Sequence, residues 1–150
     1  MEILQYPHDH LRTSTKSIEK VTPELVETAK EMYKVMREAN GVGLAATQVG
    51  LDISLIVLED NGSMLALFNP TILKKSTNQE YGMEGCLSFP GMFRRLKRPT
   101  EVTIKYRDIN NKMQFKKLEN LQARALIHEN DHLQGKLFID LEEKQIIEKE

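Results

Sequence analysis

Residues 125–135, ALIHENDHLQG, constrain this chain more tightly than any other segment. His128 and His132 stand four positions apart, and on an α-helix that spacing puts both imidazoles on one face, one turn from each other. Two such rings can chelate one ion. Glu129, beside the first, can reach the ion's water without binding the ion, the arrangement of a general base in metal-assisted hydrolysis. The plain alternative is an amphipathic helix with two surface histidines. The helix should start near Glu119 or Asn120 and stop at Gly135, a residue suited to a helix C-terminus.

A catalytic tetrahedral site takes three protein ligands and keeps one position for water, so a third ligand must come from elsewhere. Cys86 is the only cysteine and cannot form an internal disulfide; it is a buried small hydrophobe, a reactive thiol or a ligand. It sits in YGMEGCLSFPG, residues 81–91, where Gly82, Gly85 and Gly91 let the backbone approach closely. Taken alone it would read as a core cysteine; paired with the two histidines it reads as the third ligand. A third segment, GVGLAATQVG at 41–50, sets Gln48 among small apolar residues. A phosphate-cradling loop is a weak reading, because only Gly-x-Gly is present and a helix, not a strand, precedes it. A loop whose backbone approaches a ligand, with Gln48 offering an amide donor, suits it better.

Around these segments the pattern predicts one α+β domain over residues 1–150, with antiparallel strands and hairpins packed around the central metal-binding helix. A first helix is expected at 22–40, capped by Thr22, with Pro23 in the first turn, Leu25, Ala29, Met32 and Met36 at helical spacing, and Gly41 as the stop. ISLIVLED (53–60) and MLALFNP (64–70), joined by Asn61-Gly62, read as a hairpin. EVTIKYRD and KMQFKKL, alternating around Asn110-Asn111, read as a second. KLFIDL reads as packed or extended, and EEKQIIEKE as a polar tail or frayed helix.

Charge narrows the partners: 21 basic and 22 acidic residues nearly cancel, so no global basic field argues for nucleic acid. No apolar run is long enough to span a bilayer, and MEILQYPHDH lacks the features of a signal peptide, so a soluble, unexported protein is expected.

Taken together, GVGLAATQ, EGCLS and HENDH resemble the three motifs of the peptide deformylases, in family order, and the resemblance runs from ILQYPHDHLR near the start to GKLFID near the end. It implies hydrolytic removal of the N-formyl group from the N-terminal methionine of newly made polypeptides, with release of formate. Cys86, His128 and His132 would bind the metal; Glu129 would act as general base on its water and return the proton to the leaving amine. Gln48 and the backbone N–H of Leu87 would stabilise the oxyanion. The peptide would pair with strand-like edges at Val42, Gly43 and Leu44 and around Gly85, and Arg124, one helical turn before His128, would border the apolar pocket for the first side chain.

One thiolate and two imidazoles suit zinc and ferrous iron equally. The resemblance implies Fe²⁺, with zinc, nickel or cobalt able to substitute. It also implies a monomer in the cytoplasm of a bacterium, of a bacterial host if phage-encoded, or in an organelle after processing. The substrates would be N-formyl-Met nascent chains, with transient contact to the ribosome. Two residues depart from the family habit: Ile127 stands where glutamine is common, and Arg124 where apolar residues are. The chain ends soon after the metal helix, so a ribosome-binding C-terminal helix is not carried over. Arg94, Arg95, Lys97 and Arg98 read as a solvated face, with Arg98 able to pair with Glu84.

The rival enzyme reading is a zinc endopeptidase, which takes its third ligand downstream of the helix. The other histidines, His8 and His10, lie upstream, leaving only the carboxylates beyond residue 139 to serve it. A binding module with a vestigial site is the non-enzyme rival, disfavoured because ligands, base and donor are all intact.

Overall fold

The fold was obtained as a computed structural model, which describes residues 1–141. The expected polar tail therefore lies outside the described residues. Helix α1 (Pro23–Glu38) begins as its sequence predicts: Thr22 caps it by accepting from the Leu25 N–H at 3.2 Å, and Pro23 fills the first turn. Its end differs from the expectation. The helix stops two residues short of Asn40, which takes the left-handed φ of 60°, while the Gly41 N–H bonds the Met36 carbonyl. Asn40 is thus the stop. Gly41 is small for another reason: a Cβ there would lie 2.6 Å from a methyl of Leu87.

Five strands form one antiparallel sheet in the order β1 (Gly43–Ala45), β2 (Leu55–Asp60), β3 (Ser63–Lys75), β6 (Glu101–Arg107) and β7 (Met113–Glu119). Both expected hairpins are present. Asn61 (φ 52°) and Gly62 (φ 89°) turn β2 into β3 with two left-handed residues, the conformation that matches strand twist. The second hairpin closes through Asp108, whose carboxylate accepts from the Asn110 and Lys112 N–H groups.

The sheet is covered on both faces. Leu55 and Val57 of β2 pack with Met32, Met36 and Ala29 of α1; Ile56 and Leu58 point the other way, against Ala123, Leu126 and Ile127 of α2 (Asn120–Leu133). That explains why β2 reads as a continuous apolar run, not an alternation. The metal-motif helix is therefore sandwiched between the main sheet and a separate two-stranded hairpin, β4 (Gln79–Cys86) and β5 (Phe89–Pro99). Leu11, Phe89, Leu96, Leu137 and Phe138 form a third apolar cluster at one end. Phe138 lies in a short 3₁₀ turn, so the KLFIDL segment is packed as expected. No helix among the described residues is long and apolar enough to cross a membrane.

Candidate metal centre

Helix α2 carries His128, Glu129 and His132, all nearly fully buried. Cys86 closes β4, one residue before the Leu87-Ser88 turn into β5. The Cys86 Sγ and one ring nitrogen from each histidine lie within 4.8 Å of one another, and Sγ is 3.3 Å from His132 Nε2. Thus a hairpin outside the main sheet delivers one candidate ligand to a helix that supplies two more.

Each side chain is aimed by a neighbour. Glu84, two residues before Cys86, places Oε1 3.0 Å from His128 Nδ1. The same carboxylate accepts from Arg98 Nη2 at 2.8 Å, Arg98 Nε at 2.6 Å and Arg124 Nη1 at 2.9 Å, so its oxygens are saturated by four donors. Burial would raise the Glu84 carboxyl, but Arg98 and His128 outweigh it and hold the group down at about 2. An ionised Glu84 makes His128 Nδ1 the donor, which leaves Nε2 directed away, towards the centre.

Among the described residues, three buried polar atoms here have no hydrogen-bond partner: His128 Nε2, His132 Nδ1 and Glu129 Oε1. Burial strips the proton from His132, helped by the neighbouring His128, whereas for His128 the flanking Cys86 and Glu84 overcome burial and favour the charged form. One positive charge is thus wanted among a thiol and two imidazoles in a buried place. A divalent cation fits that demand in place of the His128 proton: His128 Nε2 has no hydrogen-bond partner, Cys86 Sγ and His132 Nε2 converge beside it, and the donor set suits Zn²⁺ or Fe²⁺.

Glu129 follows His128 on the helix, and burial pushes its carboxyl up to about 7. Strand β1 passes close by: a Cβ on Gly43 would lie 3.0 Å from Glu129 Oε2. Gln48 is oriented without ambiguity. Its Oε1 accepts from the Ala45 N–H at 2.9 Å, which turns Nε2 towards Ser88 Oγ (3.1 Å) and Cys86 Sγ (3.6 Å).

A cleft of about 570 Å³ opens onto this centre, lined by Gly43 of the edge strand and Val42 just before it, Gly85, Cys86 and Leu87 of the hairpin, and Ala125, His128 and Glu129 of the helix. Leu44 lies behind it, fully buried against α1. Arg124 also lines the cleft, but its guanidinium is turned into β4 and β5.

A family profile described as polypeptide deformylase matches residues 1–145. The chain belongs to the polypeptide deformylase family. It is 42% identical over 148 residues to a peptide deformylase of Borreliella burgdorferi, covering 97% of this chain and 90% of that protein. The crystal structure of peptide deformylase from Thermotoga maritima superposes with a TM-score of 0.89 at 35% identity, covering 93% of this chain and 95% of that one. A Synechococcus elongatus peptide deformylase solved in complex with actinonin gives a TM-score of 0.92 at 35% identity, covering 99% and 82%. Its activity is that of the family, deformylation of the N-formylmethionine that begins new polypeptides. Like the rest of this deformylase family it is metal-dependent, and the ligand cluster is in place.

Against that background Ile127 and Arg98 find structural roles. Ile127 is buried in the core between α2 and the main sheet, so it faces away from the site. Arg98 leaves the solvated face that its basic run suggests and is buried on Glu84 and Asp131. Arg95 and Lys97, which alternate with it, lie over the Tyr81 ring. Sequence reasoning overlooked Glu84 as the residue that orients a ligand; the signal was a carboxylate two positions before a candidate metal cysteine, the period that puts both on one face of a strand.

Proposed function

We propose that residues 1–150 form one catalytic domain in which Cys86, His128 and His132 hold Fe²⁺ and Glu129 moves protons. The observation that carries this reading is the convergence of three ligand atoms within 4.8 Å beside a buried carboxylate that has an unpartnered oxygen. When bound, the metal supplies a Lewis acid that acidifies water and polarises the formyl carbonyl. Glu129 takes the proton released as water adds to the formyl carbon, and it returns that proton to the amide nitrogen as the C–N bond breaks. Gln48 Nε2 and the Leu87 N–H donate to the formyl oxygen as negative charge develops on it. Both are held before substrate arrives: the Gln48 amide by Ala45, and Leu87 by the tight turn after Cys86.

The substrate backbone runs along the free edge of β1, at Val42, Gly43 and Leu44, and across Gly85. This is addition of a strand to a sheet edge. The first side chain enters the apolar end of the cleft beside Ala125 and the aliphatic stem of Arg124. The substrates are nascent N-formyl-Met chains in the cytoplasm or an organelle, met as a monomer in transient contact with the ribosome.

Formate release from a formyl-Met peptide, by protein purified without oxygen, is the direct test. The Cys86→Ala protein should lose most of its metal and with it this activity, while keeping its fold, because the three apolar clusters do not depend on the ion. Full metal occupancy in that variant would remove Cys86 from the ligand set.

Iron as the resident metal makes a separate prediction. A thiolate-ligated ferrous site with an open position invites oxygen, so activity should decay in air and persist after exchange to nickel or cobalt. Equal half-lives for the iron and nickel forms would exclude iron as the labile species.

A further inference from the structure

Strand β4 ends in Cys86, which packs against the third apolar cluster, but the rest of the strand buries little. Of its eight residues only Glu84 is buried; Gln79, Glu80, Met83 and Gly85 are exposed, and Tyr81, Gly82 and Cys86 are intermediate. Among the described residues its only strand partner is β5, and the pair stands apart from the five-stranded sheet. The apolar anchors of the hairpin, Phe89 and Leu96, both belong to β5. What ties β4 itself to the helix bearing the histidines is polar, and most of it comes from one residue of α2. Arg124 Nη1 donates to Glu84 Oε2 at 2.9 Å and to the Leu96 carbonyl at 3.0 Å, and Nη2 donates to the Glu80 carbonyl at 2.8 Å.

Room for this guanidinium exists because residue 82 has no side chain. A Cβ on Gly82 would lie 2.8 Å from Arg124 Cζ and Nη2 and 2.9 Å from Nε. Arginine is the longer and more flexible partner, so a methyl at 82 would displace the guanidinium and leave the strand in place.

We propose that Arg124 is a positioning residue: its guanidinium, seated on Gly82, fastens β4 and β5 to α2 and thereby sets Cys86 at ligand distance from His128 and His132. It acts through the hairpin and through Glu84, and touches neither substrate nor metal with its charged head. The planar fork is suited to the task, because it bonds one carboxylate and two carbonyls on two strands at once; a lysine can meet only part of that set. This inference rests on the metal-site reading above.

The test reads metal affinity directly, by titrating metal-stripped protein with Co²⁺ and following thiolate-to-metal charge-transfer absorbance. Arg124→Leu should weaken Co²⁺ binding roughly 10- to 100-fold, the usual cost of losing a residue that orients a ligand. Arg124→Lys should recover part of the loss. Gly82→Ala, which alters no candidate ligand and no hydrogen-bonding side chain, should reproduce the Arg124→Leu loss, and the double variant should be no weaker than either single one. Melting the metal-free proteins in chelator separates this role from a structural one. A lowered melting temperature with unchanged Co²⁺ affinity of the folded protein would overturn the proposal, as would losses for Gly82→Ala and Arg124→Leu that add in full. Wild-type protein that shows no charge-transfer band on Co²⁺ addition would instead overturn the ligand assignment on which the proposal stands.

Discussion

Glu129→Gln protein should carry as much metal as the wild type and release formate roughly 10²- to 10⁴-fold more slowly, the usual contribution of a positioned general base. The substitution keeps the size of the side chain and removes its ability to take a proton. Metal retention is expected because Cys86 and the two histidines converge without Glu129, and a fourth protein ligand would leave no position for water. Without metal, burial pushes this carboxyl up to about 7. KM should change little, since the peptide backbone is proposed to lie on β1 and the first side chain in the cleft. Near-normal kcat in the metal-loaded variant, or metal lost in step with activity, would show that Glu129 is not the base.

The helix carrying the two histidines was legible in the sequence because a single spacing, four residues between them, encodes an α-helical face on which both rings can converge. The Asn61-Gly62 and Asn110-Asn111 turns were legible for a similar reason: few residues tolerate positive φ, and those that do mark hairpins. The β4–β5 hairpin was not. Three glycines and a run of four basic residues in five positions disguise the period-2 signal, and the strands bury almost nothing on their own account. Their pairing is specified by contacts far off in sequence, above all the 14- and 40-residue separations between Glu84 and its two arginines. Arg98 illustrates the limit: sequence offered it both a solvated face and a pairing with Glu84, and only the packing of α2 against the hairpin selects the second. Asn40 and Gly41 show the converse, where either residue could end α1 and Leu87, distant in the chain, claims the smaller one.

The Glu84→Ala substitution should cost the metal-free protein about 3–5 kcal/mol of stability at neutral pH, because it leaves Arg98 buried with only the longer contact to Asp131 at 3.4 Å. The side chain of Arg98 is only 7% exposed, so water cannot replace what Glu84 provides. The pH dependence follows from the same geometry. Glu84 is held at about 2 in the folded protein against an ordinary value of 4.5, so its folded-state pKa is depressed. Its stabilisation is therefore fully present above about pH 5 and is lost as pH falls from 4.5 through 2, where the folded carboxylate finally takes up a proton. A shift of that size corresponds to roughly 3 kcal/mol, in line with the mutational cost. Urea unfolding of wild type and variant in chelator should show a stability gap that is constant from pH 7 to 5 and shrinks below pH 4.5. A gap independent of pH down to 3 would mean that Glu84 stabilises the fold by its shape and not by its charge. His128 supplies the link to function: with Glu84 gone its Nδ1 has no acceptor, the ring is free to turn, and affinity for Co²⁺ should fall by roughly 10- to 100-fold even in conditions where the variant is fully folded.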